Sequence, residues 1–416
     1  MKLLVAGGGV AALEAVIALR ELAEERVSVE LLSPKAEFAY RPLAVAEPFG
    51  SDPIMRYDLL SMADDLGASF RLGTLHEVDA KERVVRTTRG DELSWDSLLV
   101  AVGARMGIGI EGAVTVKGPG YTGRFRSVIR EVQERRLRRL TFAVPPGASW
   151  PLPLYELALM TAGLVRARGL RKVELRFVTP EAEPLELFGT QASQAVRNML
   201  DERGIELYTG HYPAAAEEDG LTLIPGEDGP VPADRVVSLP RLRGPAIAGL
   251  PSDAGGFIPV DLHGRVRELE AVFAAGDATD FPIKQGGIAT QQADAAAQAI
   301  AAEAGAQLQP EPFRPVLRGL LLTGETPRFM RAEVSGGRGE EWEVSESALW
   351  WPPSKIAGRY LSPYMGLHHG ELARPSGGVP VEVALNPKAP PGPQRRTVIA
   401  PAQDENGRLD AFDLPN

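Results

Sequence analysis

Three consecutive glycines, Gly7-Gly8-Gly9, end the apolar segment KLLVA and immediately precede an amphipathic pattern that starts near Val10. A strand that passes into a helix through such a turn presents free backbone N–H groups at the positive end of the helix dipole, where a diphosphate is held. In Gly7-x-Gly9-x-x-Ala12 the first glycine permits the tight turn. The second lets backbone approach a pyrophosphate, and the small third position lets helix pack close on strand. A second apolar strand, VSVELL over residues 27–32, follows one helix later and completes a βαβ unit. The carboxylate that would bind a ribose about 20 positions beyond such a motif is missing. The strand ends instead at Ser33, whose hydroxyl is a weaker partner, and the type of nucleotide stays open on these residues alone.

Cysteine is absent from all 416 residues. Disulfides, thiolate metal sites, iron–sulfur clusters and cysteine nucleophiles are thereby excluded, so any redox chemistry belongs to a bound cofactor. Of the histidines at 76, 211, 263, 368 and 369, only the last two are adjacent. Two neighbours do not complete a metal site, and no metal is expected. The net charge of −10 and isoelectric point near 5.3 argue against nucleic acid, whose phosphates need clustered positive charge. The one basic run, RRLRR at 135–139, reads as the solvated face of a helix before the strand LTFAV. An apolar fraction of 44% supports a packed core, and the length points to two or three domains. No apolar stretch is long enough to span a bilayer, and strand residues begin at Lys2 where a signal peptide would lie, so a cytoplasmic location is expected.

The elements that must position the glycine turn follow in order. After the Pro-interrupted loop FAYRPLAVAEPFG come strand-like segments around 69–71, 75–78 and 83–87, with a hairpin turn at Arg89-Gly90-Asp91. The continuous apolar run from Leu98 to Val102 ends in Gly103-Ala104, which fits a buried parallel strand whose end approaches a ligand. A second α/β unit starts near Leu140, but its first turn is PPGASWP at 145–151. Prolines donate no N–H and tryptophan is bulky, so this turn does not cradle a second diphosphate, and NAD(P)H held in the usual manner is not expected. The chain then returns with EAVFAAGDATDFPIKQGG, a strand over 272–275 with Gly276-Asp277 at its end and an alanine-rich helix from Gly286. The C-terminal third carries RGLLLTGETPRFMRAEV, which reads as a strand pair, and beyond Gly370 a Pro-rich, irregular tail.

With VAGGGVAALEA, SWDSLLVAVGA, FIPVDLHGRV and EAVFAAGD in this order, the chain resembles the FAD-dependent pyridine nucleotide-disulfide oxidoreductase superfamily. Within it, the sequence is most similar to the branch of sulfide:quinone oxidoreductases and type II NADH dehydrogenases. The resemblance covers residues 1 to about 300. It implies an α/β protein with two Rossmann-like, three-layer nucleotide-binding domains and a C-terminal α+β domain. The implied boundaries are an FAD-binding domain at 1–110 that resumes at 241–310, a second Rossmann-like domain without a glycine-rich NAD motif at 111–240, a C-terminal domain at 311–370 and the tail at 371–416. FAD would lie extended along the first domain. The resemblance places the diphosphate on Gly7, Gly8, Gly9 and Ala12, with Val10 and Ala11 also binding the cofactor, the adenosine ribose at Ser33, and the adenine near Val78. Arg41, Ala101, Gly103 and Ala104 would line the nucleotide. Gly276 and Asp277 would meet the ribityl chain, and Lys284, Gln285, Gly286 and Gly287 the pyrimidine end of the flavin, where Lys284 would act catalytically. A helix dipole and an ammonium there stabilise the negative charge that reduction places near N1.

The implied function is an FAD-dependent oxidoreductase that passes two electrons from a small-molecule donor to a quinone-like or other small acceptor, without cysteine chemistry. Two alternatives stand beside it: a non-enzymatic flavoprotein, with flavin as sensor or structural ligand, and an NAD(P)H-dependent reductase. The segment from Trp350-Trp351 to Lys355 reads either as a wall over the flavin or as a tryptophan pair in a domain interface. Homodimer formation is left open, and no nucleic acid or transmembrane segment is expected.

Overall fold

The computed structural model describes the chain apart from residues 42–43, 51–54, 118–121, 225–228, 325–328, 333–341, 346–354, 369–378 and 385–416. The first unit is built on the apolar runs that open the sequence. Strands β1 (Lys2–Ala6), β2 (Ser28–Ser33), β3 (Ser69–Leu72) and β4 (Ser97–Val100) form a parallel sheet. Leu3, Leu4, Val5, Leu98, Leu99 and Val100 are fully buried, as befits strands covered on both faces. Each such side chain contributes roughly 1.5–3 kcal/mol of burial. Helix α1 (Val10–Ala23) covers one face, and residues 75–94 add a three-stranded antiparallel sheet with its hairpin turn at Gly90.

A two-stranded ribbon, β5 (Arg105–Met106) with β11 (Leu242–Arg243), carries the chain to and from the second unit. There β6 (Val114–Thr115), β7 (Arg139–Ala143), β8 (Glu174–Val178), β9 (Ile205–Tyr208) and β10 (Arg235–Ser238) make a second parallel sheet in the order β6-β10-β7-β8-β9. Helix α2 (Leu152–Ala167) follows β7. The basic run at 135–139 is not a helix face. The preceding helix, Thr122–Gln133, has already ended, Arg135 takes a left-handed turn conformation, and Arg139 enters β7 bound to Asp234 at 2.7 Å.

The chain returns as β12 (Val272–Ala274), which closes the first sheet in the order β12-β4-β1-β2-β3, and as helix α3 (Gly286–Glu303). Helices α1 and α3 pack side by side along stripes of Ala11, Ala15, Ala293, Ala296 and Ala297, all buried. Beyond them, β13 (Val316–Leu321) pairs antiparallel with β14 (Val379–Ala384). This departs from the sequence reading twice: residues 316–321 do not pair with the strand that follows, and the Pro-rich tail supplies a strand. Phe329–Ala332 pairs instead with Trp342–Ser345. Helix α4 (Leu361–His368) lies against α1. The pair Trp350-Trp351 lies outside the described residues.

Candidate functional site

The three glycines do three different jobs. Gly7 has φ +136°, and a Cβ there would stand 2.1 Å from the Ala101 carbonyl oxygen, so it lets β1 and β4 meet. A Cβ on Gly8 would meet the Ser33 hydroxyl at 2.5 Å and Leu59 at 2.7 Å. Gly9 is different: a Cβ there meets nothing within 4 Å. It caps α1 without any side-chain hydrogen bond, and the first turn, Val10, Ala11 and Ala12, carries no acidic side chain. The space in front of Gly9 and the first-turn amides is therefore open and electropositive.

A second helix start converges on the same place. Gly276 (φ +77°) follows β12, and a Cβ there would sit 3.0 Å from Ala11 and 3.4 Å from Ala289, between the first turns of α1 and α3. Its amide donates to Gln292 Oε1 at 2.9 Å, and the Thr279 hydroxyl donates to the Gly276 carbonyl at 3.0 Å. This network holds out Asp277, whose carboxyl is pushed up by burial and pulled back by Lys284 and Arg41. Lys284 is buried; its ammonium donates to the Thr279 carbonyl and lies 3.9 Å from the Phe257 ring centroid. Burial lowers it to about 8 against the pull of Asp277, Asp280 and Asp253. Gln292 and Thr279, absent from the sequence-based site, are what shape this turn.

Other expected residues are engaged differently. The Ser33 hydroxyl is buried and donates to the Lys35 carbonyl at 2.8 Å, so its proton is already committed. The Val78 amide donates to the Ala248 carbonyl at 2.9 Å, and its side chain lies in an apolar cluster. Ala101 is buried, its amide bonded to Ala6 at 2.7 Å, while Gly103 (φ +74°) and Ala104 are half-buried at the strand end and Arg41 is exposed. Gln285 caps α3 by accepting from the Ile288 amide and also donates to the Arg318 carbonyl, so its side chain serves the scaffold. Gly286 lets Ile356 approach, a Cβ there being 2.7 Å from its Cδ1. Gly287, whose Cβ would lie 3.0 Å from Gln285 Oε1, leaves room for that cap.

The corresponding turn of the second sheet carries proline and tryptophan. Pro151 caps α2 and a second proline stands in its first turn, while Trp150 packs edge-on to Phe188 at 5.6 Å. Behind them Tyr155 is fully buried, stacked on Phe177 at 4.1 Å, and donates to Glu181 Oε2 at 2.7 Å. The Thr179 hydroxyl donates to the same oxygen at 2.8 Å. Burial pushes Glu181 up to about 7. Sequence reasoning missed this acid, although its place just after the second strand of the unit, in Thr179-Pro180-Glu181, is where a ribose-binding carboxylate would stand. Here it is turned onto Tyr155 and Thr179.

A family profile described as pyridine nucleotide-disulphide oxidoreductase matches residues 156–300. The sulfide-quinone reductase of Aquifex aeolicus (strain VF5) is 25% identical over 265 residues. That alignment takes in 60% of this chain and 60% of the relative's length. The solved sulfide:quinone oxidoreductase from Aquifex aeolicus superposes with a TM-score of 0.76 at 21% identity, covering 89% of this chain and 95% of that one. An NDH2 structure from Plasmodium falciparum in complex with NADH gives 0.54 at 14% identity, over 67% and 64%. Residues 156–300 thus resemble the pyridine nucleotide-disulphide oxidoreductases, and the chain shares the fold of the sulfide:quinone oxidoreductase. The residues present would fit a dinucleotide such as FAD: the cradle in front of Gly9 is the one place in the glycine turn that a side chain would fill without touching protein. Among the described residues no cluster of acidic or histidine side chains could hold a metal, and no helix is long and apolar enough to cross a membrane.

Proposed function

We propose that the chain is an FAD-dependent oxidoreductase that passes two electrons from a small-molecule donor to a quinone-like or other small acceptor without cysteine chemistry. The observation that carries this reading is the convergence of the α1 and α3 starts on Gly276, with buried Lys284 and Asp277 beside it. FAD, when bound, supplies the two-electron chemistry. The α1 amides and Gly9 would hold its diphosphate, Asp277 would accept from its ribityl hydroxyls, and Lys284 with the α3 start would favour charge on its pyrimidine end. The test is photoreduction of the purified, yellow protein followed by addition of quinones. Reoxidation by one acceptor much faster than by dissolved oxygen supports the reading, and indifference to every acceptor favours a structural flavin.

Lys284→Met keeps the apolar stem and removes the charge. About 1.4 kcal/mol of charge interaction is a tenfold step, which for a two-electron couple is about 30 mV. The variant is expected to bind FAD with a midpoint potential lower by about 30 mV or more. Because Lys284 loses its proton near pH 8, the difference should shrink as pH rises past that value. An equal potential in a fully flavinylated variant places the ammonium away from the ring.

NADH and NADPH are expected to reduce the flavin slowly or not at all. Trp150 stands at the turn before α2 against Phe188, and Pro151 at the helix cap offers no amide. Rapid, saturable reduction by NADH in a stopped-flow experiment would overturn this.

A further inference from the structure

In the ribbon that joins the two parallel-sheet units, Arg105 stands directly opposite Arg243, and Met106 opposite Leu242. The Gly107 amide donates to the Arg241 carbonyl at 2.8 Å, which extends the pairing by one residue. Side chains alternate along a strand, so Arg105, Arg241 and Arg243 share one face while Met106, Ile108 and Leu242 share the other. All three arginines are exposed. None has a carboxylate within ion-pair distance among the described residues. Like charges placed directly opposite each other weaken a strand pair. In a chain of net charge −10, carboxylates to neutralise them are plentiful, yet the ribbon keeps three bare guanidinium groups side by side. The ribbon begins at the residue after Ala104, beside the strand end where Gly103 and Ala104 border the cofactor region.

We propose that this arginine face docks an acidic patch of a partner protein. Guanidinium forks match carboxylates two bonds at a time, which suits such a patch better than single point charges would. An anionic bilayer fits less well. It would draw in Met106 (40% exposed) and Ile108 (57% exposed), but these lie on the face opposite the arginines, so the two attractions act on opposite sides of one ribbon. A surface this small supports a transient, salt-sensitive encounter steered by charge. The proposal extends the flavoenzyme reading by giving it a protein partner, and it rests on that reading for the purpose of docking, not for the docking itself.

The test uses the FAD-loaded full chain, fluorescein-labelled poly-L-glutamate as the probe in anisotropy titrations, and flotation with phosphatidylglycerol vesicles as the parallel arm. Wild type should bind the probe, with affinity falling steeply as salt rises. The Arg241→Gln/Arg243→Gln double variant should bind about tenfold more weakly or worse, while its flavin absorbance is unchanged and its Tm is equal or higher, because like-charge repulsion has been relieved. Arg243→Lys, which keeps the charge, should recover part of the binding relative to Arg243→Gln. Failure of wild type to bind the probe, equal binding by the double variant, or capture by vesicles in place of the probe each overturns the proposal. Probe binding through the ribbon in a chain that turns over no acceptor would sink the enzymatic reading alone.

Discussion

A Gly9→Val chain is expected to fold normally and to purify colourless. Gly9 has φ −103° and ψ −169°, extended backbone that a β-branched residue adopts without strain. A Cβ there meets nothing within 4 Å, so the polypeptide itself gives no reason for the glycine. The remaining reason is a ligand that must approach the backbone closely. A valine there would displace a diphosphate from the α1 amides. Hydrogen bonds to charged groups contribute roughly 1.5–3 kcal/mol each, so losing two weakens binding by roughly a hundredfold or more. Gly7→Ala is the contrasting variant. With φ +136° and the Ala101 carbonyl oxygen 2.1 Å from the new carbon, it should lose stability whether or not FAD is present. Thermal melts of the apoproteins separate the two, and flavin retention at the wild-type level by Gly9→Val would show that the cradle lies elsewhere.

That contrast also marks how far the sequence was readable. The strand–turn–helix at residues 2–23, the apolar strand ending at Gly103 and the return strand ending at Gly276-Asp277 are local patterns, and each is legible from burial period and turn chemistry. Which glycine faces protein and which faces open space depends on β4 and on Ser33, residues brought in by the fold. The groups that finish the site are also tertiary. Gln292 reaches back 16 residues to Gly276. Glu14, buried in α1, accepts from the Tyr360 and Leu361 amides at 2.8 Å and so caps α4 across 346 residues or more. Its neighbour Asp294 shares that pocket, and burial together with their mutual repulsion raises Asp294 well above the usual range. No periodicity announces such pairs. The β13–β14 pairing fails to show for the same reason: a strand in a Pro-rich stretch is specified by its partner more than by its own composition.

Lys355→Met is expected to destabilise the protein by about 3–5 kcal/mol near neutral pH, the usual cost of leaving one member of a buried ion pair alone. Glu156 in α2 is fully buried and Lys355 is 7% exposed, with Nζ 2.5 Å from Glu156 Oε2. The Leu322 amide donates to the other oxygen at 2.8 Å. Burial raises the Glu156 carboxyl above its ordinary 4.5, and Lys355 then the Leu322 amide pull it back. The sign of the pH effect follows. Below 4.5 the carboxyl is protonated in both folded and unfolded chains, and its desolvation costs nothing. As pH rises through the raised folded value the unfolded chain ionises first, and stability falls. Removing Lys355 lifts that folded value further, so the deficit of the variant should be small in acid and widen toward neutral pH. Methionine fills the space of the lysine stem, so a packing defect contributes little. Glu156→Gln combined with Lys355→Met should recover most of the loss, because an amide still accepts from Leu322 and carries no charge to desolvate. Urea unfolding of the three proteins across pH is the measurement. A deficit that ignores pH, or a double variant as weak as the single, would mean that the pair does not hold this junction. The junction matters for the cofactor region because the next residue, Ile356, is the one that rests against Gly286 at the start of α3, so loosening at Lys355 should also appear as weaker FAD retention.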